Sequence, residues 1–252
     1  MRARAAFQLS GCHVRGEVGD AASLAGLLSD WRNLIGCDVV RTLHLPLKTQ
    51  DAQITACSLL AVDVMCYLKH FGTAVLQGPE EGFPPQPFKE AYSVALAGGL
   101  KSGGGGPWEL DGGADSVEGA LDCLGAHRLG HGVRAVEGGE QLLARMAQQK
   151  VCCDVCPTSN VLLGVSESIA KHQLRALLSS GVPCTISADD PLLFGGVGVA
   201  DEYEALRNEM QMSDEDLAEL ARSSFIYSGC PDQALLNEGL CQIDAWLKTT
   251  KS

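Results

Sequence analysis

The sequence predicts an α/β fold, with a parallel sheet of the (β/α)8 barrel kind. Three observations carry this expectation. Strand-like runs alternate with helical stretches, which calls for parallel strands joined by crossover helices. The strand signals are spaced too widely for a sandwich of hairpins. The length, 252 residues, is close to that of one such barrel. With 46% hydrophobic residues the chain can also bury a sizeable core.

The elements follow in order. Met1 to Phe7 contains no apolar stretch long enough for a signal peptide, and no acidic residue precedes Glu17. It reads as a frayed start. Residues 20–35 and 54–71 read as helices, the second closing at Gly72 as a C-cap. Thr73 to Leu76 reads as a strand that enters the Gly- and Pro-rich loop 78–87. The segment Leu100 to Trp108 falls where the alternation asks for a strand. Its four consecutive glycines cost backbone entropy and offer no side chain to pack, so a flexible loop and a gap in the sheet are expected over 101–109. These glycines lack the Gly-Lys-Ser/Thr of a phosphate loop.

Further along, Asp115 with Glu118 three residues on suits a helix start. Val151 to Val155 and Val182 to Ile186 are short β-branched or apolar runs that read as buried strands. Residues 168–180 read as a helix with Leu174, Leu177 and Leu178 inward. Ser213 and Asp216 resemble a capping box, and Leu236, Leu240, Ile243 and Leu247 form a helical stripe. No repeat or linker interrupts the chain, so a single domain over 1–252 is expected.

Composition excludes some partners. A net charge of −12 and a pI near 4.9 argue against nucleic acid and anionic membranes, which select basic patches. No apolar run approaches the 18 residues of a membrane span. The eleven cysteines are scattered instead of framed, which reads as reduced thiols in a cytoplasmic protein. Cys152, Cys153 and Cys156 hold a C-x-x-C with no second copy, so they are read as filling a buried strand and not as a structural zinc site.

The chemistry concentrates at Ser187-Ala188-Asp189-Asp190-Pro191, directly after a strand-like run. Neighbouring side chains on an extended segment point opposite ways. One carboxylate would then face the barrel axis and the other the loops, at the strand ends where barrels place chemistry. Paired carboxylates there can bind a metal and hold a substrate proton. The same residues also suit a plain turn with an N-cap.

Two further segments precede that pair: Arg128-Leu129-Gly130-His131-Gly132 and Cys156-Pro157-Thr158-Ser159-Asn160-Val161. With Gly78-Pro79-Glu80-Glu81-Gly82-Phe83-Pro84-Pro85 upstream, the order and wording resemble the adenosine deaminase family of zinc purine aminohydrolases. The resemblance runs from about Arg41 to Leu247 and is specific between Gly125 and Gly195. It implies a metal-dependent hydrolase barrel that converts adenosine and water to inosine and ammonia by zinc-activated water. Adenine or a modified adenylate is the alternative substrate. By the same resemblance Asp189 is the zinc ligand, Asp190 hydrogen-bonds the purine, His131 stands beside the zinc-bound water, and the Gly78 backbone meets the purine ring.

The departures from the family pattern are specific. The family takes two zinc ligands from a His-x-His, and no two of His13, His44, His70, His127, His131 and His172 are so spaced. Its His-Ala-Gly-Glu segment supplies a third ligand and the ring proton. Here Gly103-Gly104-Gly105-Gly106-Pro107-Trp108-Glu109 stands in that place, with Glu109 near the position of the proton donor and no histidine before it.

The resemblance also begins beyond the family's first two strands, with residues 1–40 weakly matched. It therefore implies a partial or incomplete barrel, about its C-terminal three-quarters. The strand leading to Asp189 would have an open edge able to self-associate, and zinc binding and deamination would be weakened or absent. The competing reading is an inactive barrel remnant that holds a nucleoside through Gly78, His131 and Asp190, or acts as a scaffold. The smaller cytidine-type deaminases are excluded: no histidine is followed two positions later by glutamate, and Pro157 comes after Cys156.

Overall fold

The computed structural model describes residues 3–9, 12–18, 41–46, 73–77, 84–97, 101–104, 113–228 and 233–250. Contacts divide the chain into two units, Met1–Gly105 with Glu118–His127, and Gly106–Val117 with Arg128–Ser252.

Among its described residues the first unit contains five strands: β1 (Ala3–Leu9), β2 (Cys12–Val18), β3 (Arg41–Pro46), β4 (Thr73–Gln77) and β5 (Lys101–Gly104). β1 and β2 form an antiparallel hairpin with Leu9 opposite Cys12, and β1 pairs antiparallel with β3. The frayed start is thus corrected. Two seven-residue runs joined by Ser10-Gly11 carry a two-residue hairpin signal. β3, β4 and β5 are parallel.

β5 corrects the expected gap over its own four residues. Ser102 pairs with Ala74 and Gly103 with Val75. The ladder is made by backbone N–H and C=O groups, which glycine supplies as any residue does, so low propensity yields to a neighbouring strand with the right register. A 3-10 turn, Gln86–Phe88, leads into α1 (Lys89–Ala97). Phe88 and Tyr92 are buried, as are Ala120, Leu121 and Leu124 of α2 (Gly113–Leu124). The expected N-cap at Asp115 lies inside the first turn of α2, two residues past its start.

The second unit carries β6 (Arg128–Gly130), β7 (Cys152–Val155) and β8 (Cys184–Ile186), all parallel. Parallel strands covered on both faces read as continuous buried runs. Three of the four residues of β7 and all of β8 are buried. This places the thiols of Cys152, Cys153 and Cys184 in the core, as the sequence predicts for the first two.

The helices of this unit are α3 (Gly139–Gln149), α4 (Pro157–Leu162), α5 (Leu174–Ser179), α6 (Val199–Asn208), α7 (Asp214–Ile226) and α8 (Gln233–Thr250). Leu142 and Met146 of α3, Leu174 and Leu177 of α5, Leu206 of α6, and Leu217 and Leu220 of α7 are buried. Each such side chain contributes about 1.5–3 kcal/mol on burial.

Ser213 caps α7 as predicted: its Oγ accepts from Asp216 N–H at 3.2 Å, and Asp216 Oδ2 accepts from Ser213 N–H at 3.1 Å. On α8, Leu236, Leu240, Ile243 and Leu247 are half-buried, with buried Gly239 beside Leu240, so the stripe holds. The helix predicted over 168–180 is shorter. It starts at Leu174, whose N–H is taken by the His172 ring at 3.0 Å. The helices predicted over 20–35 and 54–71 lie outside the described residues. Among the described residues, no helix is long and apolar enough to cross a membrane.

Candidate active site

The site is assembled where β6, β7 and β8 end. Three strands in register bring their following residues to one level, since Gly130 pairs with Asp154 and Asp154 with Thr185. Asp154 locks that level. Its carboxylate accepts a bidentate pair from Arg128 on β6 and a hydrogen bond from Thr185 Oγ1 on β8 at 2.7 Å. Arg128 also donates to the Tyr227 carbonyl. A bidentate arginine–carboxylate pair is among the strong ion pairs because both N–H groups are aligned.

His131 follows β6 and is buried. Its backbone lies in the left-handed region, φ 54°, and its N–H donates to the Asp154 carbonyl at 2.8 Å. Gly132 continues the turn at φ 65°. A Cβ there would stand 2.6 Å from Cys153 Sγ, so only glycine lets the chain turn this close to β7.

Asp189 follows β8 and also has a left-handed backbone, φ 55°. The expected alternation of Asp189 and Asp190 is corrected by this conformation. The strand ends at Ile186, and side chains alternate only along extended backbone. Both aspartates are exposed. The Asp190 carbonyl accepts from Leu193 N–H at 2.9 Å and Phe194 N–H at 3.1 Å, so the plain turn exists beside the chemistry. His131 Nε2 and Asp189 Oδ2 are 3.6 Å apart.

The first turn of α4 supports both residues. Ser159 Oγ donates to Asp189 Oδ2 at 2.7 Å. The Asn160 side chain reaches His131 Nδ1 at 3.0 Å on one side and His172 Nε2 at 3.1 Å on the other. Ser159, Asn160 and His172 are all buried. Thr158 N–H donates to Glu202 Oε2 at 3.1 Å, while Glu202 Oε1 has no hydrogen-bond partner among the described residues. Burial holds the Glu202 carboxyl above its ordinary value. Burial lowers His131 below the usual imidazole value, partly offset by Asp189, and pushes His172 down to about 4.

His131, Cys156 and Asp189 offer ligand atoms within 4.8 Å of one another, a spacing that suits a metal ion. The donor chemistry suits one less well. Burial first, then the carboxylates of Asp189 and Asp154, hold the Cys156 thiol well above its ordinary range. His131 Nδ1 is taken by Asn160, which leaves Nε2 as its one ring atom toward the cluster. A catalytic zinc usually takes three protein ligands. As held here, the described residues present fewer and do not fit that ion.

Of the residues predicted from sequence, the structure brings His131 and Asp189 together and leaves Asp190 beside them in the following turn. Gly78 and Glu109 lie outside the described residues. His127 is exposed. Asn160 holds the following loop through its carbonyl, which accepts from Val165 and Ser166 N–H, and its side chain bridges two histidines. Sequence reasoning missed Ser159, although it lies inside the Cys156–Val161 motif. His172 and Glu202 gave no local signal, since each is a lone polar residue outside any motif.

The sequence model of the family described as Adenosine deaminase matches residues 59–239, more than half of the chain. A putative adenosine/adenine deaminase of Streptomyces virginiae is 47% identical over 162 residues, covering 64% of this chain and 46% of the relative. An adenine deaminase of Streptomyces coelicolor is 38% identical over 185 residues, covering 71% and 52%. The chain thus spans about half the length of the curated relatives it matches.

The crystal structure of adenine deaminase from Arthrobacter aurescens superposes with a TM-score of 0.73 at 26% identity, covering 90% of this chain and 67% of that one. An amidohydrolase from Burkholderia ambifaria with bound Zn gives 0.73 at 19% identity, covering 92% and 65%, a likeness of fold. The α/β fold with its partial parallel sheet is that of an incomplete barrel of this type. On the family match and these relatives, the chain belongs to the adenosine deaminase family.

Proposed function

We propose that this chain carries part of a purine aminohydrolase site, the part that meets the 6-amino end of an adenine ring. The observation that carries the reading is the 3.6 Å approach of His131 Nε2 to Asp189 Oδ2, each on a left-handed turn after a strand. An oxygen seated beside this pair, within hydrogen-bond reach of both atoms, can be held by both groups. Asp190 lies next to it and is the residue for the purine edge. Gly78 is proposed for backbone contact with the ring, and Glu109 for its proton.

The net reaction adds water to C6 and releases ammonia. Its product is inosine from adenosine or hypoxanthine from adenine. The names of the relatives favour these two substrates over a modified adenylate. The donor set around Asp189 supports a weak or silent reaction in this chain. The rest of the reading concerns binding and orientation by His131, Asp189 and Asp190.

The test is calorimetric titration of the purified chain with adenosine and with adenine, alongside ammonia release. Binding of either purine that Asp190→Asn weakens about tenfold or more is expected, the size of one lost charged hydrogen bond. Ammonia release is expected to be slow or absent. No binding of any purine would overturn the proposal and leave the scaffold reading.

A further inference from the structure

We propose that His172, acting through Asn160, fixes His131 as its Nε2-protonated tautomer, so that the ring nitrogen facing Asp189 is a hydrogen-bond donor and not a metal ligand. The proposal deepens the aminohydrolase reading and rests on it only for what that donor meets.

The direction of the relay is set at its far end. The Leu174 backbone N–H lies 3.0 Å from His172 Nδ1. A backbone N–H can only donate, so His172 Nδ1 holds a lone pair. A neutral imidazole with Nδ1 free carries its proton on Nε2. That nitrogen is 3.1 Å from Asn160 Oδ1 and donates to it. The amide is then oriented: its oxygen faces His172 and its NH2 faces His131 Nδ1 at 3.0 Å. An amide NH2 only donates, so His131 Nδ1 is an acceptor and its proton sits on Nε2.

Three conditions make this direction firm. The relay is dry: His131 is 6% exposed, His172 3% and Asn160 0%. Reversing one link would set two donors or two acceptors against each other at about 3 Å in a low-dielectric interior. A second proton on His172 would face the Leu174 N–H, and burial independently keeps that ring neutral. The start of α5 is part of the device, because the N–H that orients His172 belongs to its first residue.

The consequence falls on the site. His131 Nε2–H is 3.6 Å from Asp189 Oδ2. An oxygen beside the pair and within reach of both accepts from His131 and donates to Asp189, with no covalent change at either residue. The cluster of His131, Cys156 and Asp189 has metal-like spacing but lacks the imidazole lone pair. His172 is a positioning residue. It lies twelve residues from Asn160 and works by orienting that residue's amide.

The test reads the tautomers directly. Long-range proton–nitrogen correlation spectra of the full chain, labelled at histidine, separate protonated from unprotonated ring nitrogens. His131→Phe assigns the His131 signals by their loss. In the unmodified chain, His131 and His172 are both expected in the Nε2–H form.

Asn160→Asp presents two acceptors and is expected to move the His131 proton to Nδ1 while leaving His172 unchanged. That variant frees the Nε2 lone pair, so its affinity for cobalt(II) or zinc alone should rise about tenfold or more, the usual scale of such supporting contacts. His172→Phe is expected to give mixed His131 tautomers. His172→Gln, whose amide can still donate to Asn160, is expected to restore one. An Nδ1–H or doubly protonated His131 in the unmodified chain at neutral pH would overturn the proposal. So would an unchanged His131 signature in a folded Asn160→Asp chain. The unmodified spectrum decides even if a variant fails to fold. No purine is needed, so failure of the aminohydrolase reading shows separately, in binding and ammonia release.

Discussion

His131 and Asp189 share a backbone solution: each is a non-glycine residue in the left-handed region, at φ 54° and 55°, and their side chains meet 3.6 Å apart. Such conformations cost on the order of 1–3 kcal/mol each and persist where the surroundings over-determine them. Here the surroundings are visible. His131 N–H is bound to the Asp154 carbonyl, and Asp189 Oδ2 is bound to Ser159.

Gly132 is the tightest part of this arrangement. Gly132→Ala would place a methyl group 2.6 Å from Cys153 Sγ at φ 65°. A loss of roughly 1–3 kcal/mol is expected from the backbone conformation alone. Urea unfolding of the variant is the measurement, and an unchanged midpoint would contradict the packing described for the end of β6.

Asp154 should matter more than an exposed carboxylate. Asp154→Ala removes the partner of Arg128 and of Thr185 together. Breaking a part-buried pair leaves a charge uncompensated, at a cost of about 3 kcal/mol or somewhat less given partial exposure. Asp154→Asn, which keeps an acceptor for Thr185, is expected to lose less. Thermal unfolding of the two variants should rank them in that order.

His172 gives a pH dependence with a definite sign. Its folded value is about 4 against an ordinary 6.5, so the unfolded chain binds more protons between these values. Stability is therefore at its full level above about 6.5 and falls as pH drops toward 4. The loss is on the order of 3 kcal/mol, since one pH unit of difference corresponds to about 1.4 kcal/mol. Glu202, held above its ordinary value, acts the other way: its contribution is full at low pH and is lost as pH rises through its folded value. The difference between the unmodified chain and His172→Gln isolates the histidine. Denaturant titrations of both from pH 7 to pH 4 should converge as pH falls.

Zinc retention should be low. The Cys156 thiol is held protonated by burial and by two carboxylates, and affinity depends on the number of prearranged, deprotonated ligands. Dialysis against zinc followed by elemental analysis is expected to leave far less than one ion per chain. Near-stoichiometric zinc, together with inosine formed at an ordinary enzyme rate, would show the donor set to be better than its geometry implies.

Legible along the chain were the α/β class, the strands β4, β7 and β8, the cap at Ser213 and the stripe along α8, and the motifs pointed to His131 with Asp189. These are local signals. Periodicity, capping and a residue motif act within a few positions, so they can be read along the chain. The sequence did not reveal β5, because a glycine run has poor propensity and its pairing with β4 is a tertiary event. The hairpin of β1 and β2 does have a local signal, Ser10-Gly11 between two seven-residue runs. Packing of the folded chain is what takes Asp189 out of extended geometry and sets Asn160 between His131 and His172. It also decided that a backbone N–H at Leu174 orients the ring of His172. Hydrogen-bond direction between residues 12 and 29 positions apart leaves no local pattern, since it depends on which dry groups the fold sets face to face.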